Sequence, residues 1–124
     1  MNIVLWVIAG LLAAAFLGAG LMKLTRPREK LAASGMAWTE DFSPGVIKTI
    51  GALELLAAIG LILPAALNIA PVLVPLAATG LAVVMIGAMI THARRREFPM
   101  IAGNLVLLVL AALVMWGRFG PYSF

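Results

Sequence analysis

The stretch "PGVIKTIGALELLAAIGLIL", residues 44 to 63, decides the fold. Its twenty residues contain two charges, Lys48 and Glu54. A helix rises 1.5 Å per residue, so twenty residues reach about 30 Å. That is the thickness of a bilayer's hydrocarbon core. A segment that crosses it must satisfy its own backbone hydrogen bonds, which requires a helix. Ser43 supplies an N-cap hydroxyl, and Pro44 occupies the first helical position, where a missing N–H costs nothing. Pro64 is expected to close the span.

Three similar runs accompany it. Asn2 to Met22 carries no charge, and further spans are expected at Pro71 to Thr91 and Pro99 to Trp116. Pro75 falls in the first turn of the third, and Gly117 is expected to cap the fourth. The first run lacks a basic leader and is too apolar over too long a stretch for a cleaved signal peptide, so it is read as a retained span.

Composition agrees. The chain has 124 residues, 64% hydrophobic and 11% charged, with a mean hydropathy of +1.11. A soluble domain is about half apolar and about a quarter charged, and one this small could not cover such a core. The fold class is therefore all-α: an integral membrane four-helix bundle, one transmembrane domain over residues 1–124, with a short interfacial helix between spans 1 and 2. So small a bundle is expected to leave little room for a deep cavity.

The net charge is +4, but the bases do not form a nucleic-acid platform. Lys23, Arg26, Arg28, Lys30 and Lys48 flank the first connection, and Arg94, Arg95 and Arg96 fill the third. Only Arg118 lies at the other end. By the positive-inside rule the basic connections are cytoplasmic and both termini face outward. The first connection, "RPREKLAASGMAWTEDFS", holds a short helix from Pro27 to Ser34 stopped by Gly35. Leu31, Met36 and Trp38 give it an apolar side suited to the interface. Its bases favour anionic lipid. It is either interfacial packing or a lid over a cavity between the helices.

Glu54 lies ten residues from Pro44 and from Pro64, near the bilayer midplane. An ionised carboxylate facing lipid there is costly, so Glu54 must face protein or a wet cavity, or be protonated. Gly51, Ala57 and Ala58 share its face and let a neighbour approach. Lys23 at the end of span 1, His92 at the end of span 3 and Asn104 early in span 4 fall in the same half of an antiparallel bundle. Glu54, Lys23, Asn104 and His92 are therefore the candidate ligand-binding residues. Lys48 lies about 120° around the helix from Glu54 and is expected to snorkel to the surface. The bland alternatives stay open: Glu54 and Asn104 as interhelical glue, Lys23 as an interfacial anchor, His92 as a loop residue. Gly10, Ala14 and Gly18, with Gly80, Gly87 and Thr91, form small-residue faces for packing within the bundle or between copies. Trp6 and Trp116 belong to one interfacial belt.

The close "GAGLMKL" of span 1, with Gly20, Lys23 and Leu24, and the core "IGALELLAAIGLIL" of span 2, with Gly51, Glu54 and Gly60, resemble the DoxX-like family of small membrane proteins over nearly the whole chain. The resemblance implies a four-helix membrane bundle. Founding members of that family are linked to quinone-coupled thiosulfate oxidation beside other subunits, and eukaryotic relatives include chaperones for membrane receptors. The implied role here is binding a small lipophilic ligand such as a quinone, within an oxidoreductase assembly. With no cysteine and no haem or flavin signature, any electrons must be carried by a bound quinone or a partner. Neither a metal site nor a catalytic residue is indicated, and the oligomer is open between homodimer and heteromer. The competing classes are a non-enzymatic assembly protein and a proton-coupled exporter. Small multidrug exporters carry their essential acid in the first span, which is charge-free here.

Overall fold

The computed structural model describes residues Met1–Phe124 as an all-helical bundle. Helices α1 (Asn2–Thr25), α3 (Pro44–Ala66), α4 (Leu73–Arg94) and α5 (Phe98–Phe119) are the four long ones. Each is long and apolar enough to cross a membrane. The connection between α1 and α3 holds the short helix α2 (Arg28–Ala33) and a 3₁₀ turn at Ala37–Asp41. The expected spans fall inside these helices except at the start of the third, where Pro71 and Val72 lie in the turn before α4.

Three turns end helices in one way. After α2, Gly35 takes φ 102°, and Met36 N–H donates to Leu31 O at 3.0 Å. After α3, Asn68 takes φ 54°, and Ile69 N–H donates to Pro64 O at 2.8 Å. After α4, Arg96 takes φ 57°, and Glu97 N–H donates to His92 O at 2.8 Å. Each is a Schellman close, with one left-handed residue and a six-to-one bond.

Two expected boundaries move. Pro64 does not close α3, which runs on to Ala66 with Pro64 inside it. Proline forfeits its own N–H bond and crowds the carbonyl one turn back, yet Leu67 N–H still donates to Leu63 O at 2.8 Å. Asn68 makes the actual stop. Gly117 does not cap α5 either. It is buried inside the helix, where an added Cβ would run into Leu5 Cδ1.

The pairs α1/α3 and α4/α5 pack most extensively, and the two pairs meet along a narrow core. Leu12 and Phe16 of α1, Ala58 and Leu61 of α3, Ala78 and Met85 of α4, and Ala111 and Val114 of α5 form it. Large apolar residues elsewhere face outward, among them Leu53, Leu56, Val83 and Val106. In a bilayer that belt is solvated by lipid.

The glycines of the small-residue faces make no close helix contact inside the bundle. Gly10, Gly18, Gly80 and Gly87 have nothing within 4 Å of an added Cβ. The close approach is made by Gly20 and Gly51. A Cβ on Gly20 would sit 2.7 Å from Gly51 O, and one on Gly51 would sit 2.7 Å from Lys23 Cβ. The backbones of α1 and α3 nearly touch there.

At the end away from the basic loops, Arg118 ties the bundle shut. Its Nη1 donates to Asn2 Oδ1 at 2.6 Å and to Tyr122 O at 2.9 Å. Its guanidinium stacks 3.9 Å from the Phe124 ring and 5.8 Å from Trp6.

Candidate functional site

The tight α1/α3 crossing fixes the site. Gly20 and Gly51 bring Lys23, one turn on, against the face of α3 that carries Glu54. Lys23 Nζ donates directly to Glu54 Oε1, and both side chains are buried, at 8% and 2% exposed. Lys23 is thus neither a simple anchor nor free. Its ammonium also lies 5.5 Å from the Trp38 ring, a cation–π distance. Lys48, by contrast, is exposed, as its angular offset requires.

A cavity of about 420 Å³ opens beside this pair. The expectation of little room is therefore corrected: the core stops at Phe16 and Met85, and beyond them the two helix pairs no longer fill the space between them. Small-molecule sites run from about 300 to about 1,000 Å³. Lys23, Glu54, His92 and Asn104 all line this one cavity. Phe16, Ile50, Val84, Met85 and Leu107 supply apolar wall. Met36, Trp38 and Phe42 from the α1–α3 connection also line it, so that segment covers the cavity as a lid. The lid is braced internally: Trp38 and Phe42 stack edge to face at 5.7 Å, and Arg28 Nη1 donates to Phe42 O at 3.0 Å.

His92 is buried and belongs to α4, not to the loop that follows. The Schellman close of α4 turns the chain back so that Glu97, five residues on, meets it. His92 Nδ1 lies 3.0 Å from Glu97 Oε1. A proton on Nδ1 serves the carboxylate and leaves Nε2 a lone pair. Arg95 Nε lies 3.3 Å from the same Glu97 oxygen, within charge attraction but off the line of a hydrogen bond. Arg95 Nη1 donates to Asp41 Oδ2 at 2.8 Å, linking the lid to the α4–α5 turn. That hydrogen bond raises the Arg95 pKa still further above its ordinary value, against a smaller opposing desolvation.

Asn104 is the odd member. Its Nδ2 is buried and has no hydrogen-bond partner, so it does not glue helices as one alternative held. A buried amide N–H left unmade costs about 1–3 kcal/mol, and such groups call for an explanation.

Glu97, Arg95, Asp41 and Trp38 were not singled out as site residues by sequence reading. The signal for Glu97 was its place just after the helix break that follows His92. Asp41 and Arg95 are 54 residues apart and offered no local signal.

Four apolar spanning helices around a cavity with a few polar side chains define an integral membrane protein of the small helical-bundle class. The chain belongs to the DoxX-like family, whose model matches residues 7–114. No curated protein and no solved structure matches it.

Proposed function

We propose that the protein binds a small lipophilic ligand with a carbonyl-bearing polar head, best matched by a quinone, and serves as the quinone-binding subunit of a membrane oxidoreductase. The observation that carries this reading is the partnerless amide of Asn104 on a mostly apolar cavity. A ring carbonyl accepts from Asn104 Nδ2. His92 Nε2, with Nδ1–H given to Glu97, can accept from a ring hydroxyl. One wall thus offers a donor and another an acceptor, which suits both redox forms of such a ring. The Lys23–Glu54 pair supplies a fixed dipole beside them. The bound ring would supply the electron-carrying chemistry; the chain's residues hold it, orient it and exclude water.

The basic loops are assigned to the cytoplasm by the positive-inside rule, which puts the cavity in the inner half of the membrane. The direct Lys23–Glu54 bond favours a second reading, a non-enzymatic assembly protein whose buried charges only fix helix packing.

Thermal unfolding in detergent with and without decylubiquinone separates the two. Wild type should be stabilised by the quinone, and Asn104→Leu should lose that stabilisation without losing its own fold. Equal shifts in both proteins, or none in wild type, would sink the quinone reading.

A further inference from the structure

A second cleft, of about 320 Å³, lies on the outside of the same end, between the close of α1, the start of α2 and the start of α3. Arg26, Arg28 and Lys48 line it over a floor of Leu24, Leu31 and Ile47. Arg28 is already engaged by Phe42 O, and Lys23, at the back, is engaged by Glu54. Arg26 and Lys48 make no ion pair or side-chain hydrogen bond. One carboxylate, Glu29, also borders the cleft, so three free or half-free cations face one anion. The Lys23–Glu54 pair contributes no net charge.

We propose that this cleft is a discrete binding site for a phosphate anion, either the headgroup of an acidic phospholipid or free phosphate. Three features support it together. The cations come from three separate elements, so they converge on a pocket and do not merely coat a surface. The α3 helix begins at the cleft with Pro44, and the start of a helix carries partial positive charge. The cleft opens at the end of four spanning helices, at headgroup depth, where basic pockets between spans receive anionic headgroups. Leu17 and Leu21, exposed on α1 below it, give acyl chains an apolar track. The site is separate from the ligand cavity and does not depend on what fills that cavity.

The test is native mass spectrometry of protein released from nanodiscs of phosphatidylglycerol or of phosphatidylcholine. Wild type should retain one phosphatidylglycerol per chain and no phosphatidylcholine. The Arg26→Ala/Lys48→Ala variant should lose that lipid at least tenfold. A charge-matched control, Lys30→Ala/Arg94→Ala, removes two exposed bases outside the cleft and should retain it. Equal loss in the control, or equal retention in the cleft variant, would overturn the proposal by showing diffuse attraction only. Inorganic phosphate decides the source: displacement of the lipid at millimolar phosphate assigns the site to free phosphate, and resistance assigns it to the lipid. A matched melting temperature for all three proteins confirms that the fold survives each change.

Discussion

Gly51 of α3 faces Lys23 of α1 so closely that a Cβ on Gly51 would stand 2.7 Å from the Lys23 Cβ. Neither atom is the far end of a flexible side chain, so a Cβ there must move a helix. Gly51→Ala should therefore destabilise the bundle by about 1–3 kcal/mol, the ordinary cost of overpacking. Unfolding in mixed micelles reads the loss. A variant as stable as wild type would show that the α1/α3 crossing is looser than described.

Glu54→Gln leaves the buried Lys23 ammonium without its counter-charge. Breaking a buried pair costs about 3–5 kcal/mol, and the low end is expected because polar groups in a membrane-unfolded state find substitute partners. Adding Lys23→Met should restore much of the loss, since it removes the uncompensated buried charge and leaves only the neutral amide at position 54. If the double variant is less stable than Glu54→Gln alone, charge burial is not the cause.

Asn104→Leu removes a buried donor that has no partner, so stability should hold or rise. Affinity for a short-chain quinone should fall, because one hydrogen bond contributes about 0.5–1.5 kcal/mol, or about 2- to 12-fold. Quenching of Trp38 fluorescence on titration gives the constant. An unchanged constant would remove Asn104 from the site.

Asp41→Ala cuts the bond that joins the lid to the α4–α5 turn. Amides of residues 36–42 should exchange several-fold faster, with global unfolding little changed because exposed ion pairs contribute little. The pH sign for Arg95 is fixed by its raised pKa. A cation with a raised folded pKa gives its contribution in full below its ordinary value and loses it only as pH climbs through the raised one. Titration of Arg95 should thus leave lid protection, taken relative to the intrinsic exchange rate at each pH, flat through neutral pH. A step there in wild type, absent in Arg95→Gln, would contradict this.

Ala70 holds φ 46° in the α3–α4 turn without being glycine. A left-handed non-glycine residue costs about 1–2 kcal/mol, part of which glycine's extra chain entropy takes back. Ala70→Gly should raise the melting midpoint by a degree or two. A fall would mean that Ala70 is not strained.

Much of this was legible in the sequence because hydropathy over twenty residues is a coarse, additive signal. The four spans and the short helix before Gly35 follow from spacing, which also sets Lys23 and Glu54 in one half of the bundle but leaves open whether they pair. The misplaced stops at Pro64 and Gly117 have a common origin. Proline and glycine mark what a helix tolerates badly, while the real stops depend on which residue accepts a left-handed turn, here Asn68 after α3. The glycine faces misled for another reason: spacing shows which small residues align, not which face meets a neighbour. Gly20 and Gly51 were visible as motif residues, yet their contact needs the helix crossing. The cavity was invisible because it is a property of where packing fails.

The placement of the covalent links has a mechanical consequence. The helices α1 and α3 are joined at the basic end, as are α4 and α5, and the only chain link between the two pairs is the turn after α3. Arg118 and Asn2 add a second fastening at that same end. At the opposite end the one side-chain bond across the gap is Asp41 to Arg95. The connectivity is that of tongs, pivoted at one face of the membrane, with the cavity between the tips. Cutting the Asp41–Arg95 bond should therefore loosen the tips while the pivot holds.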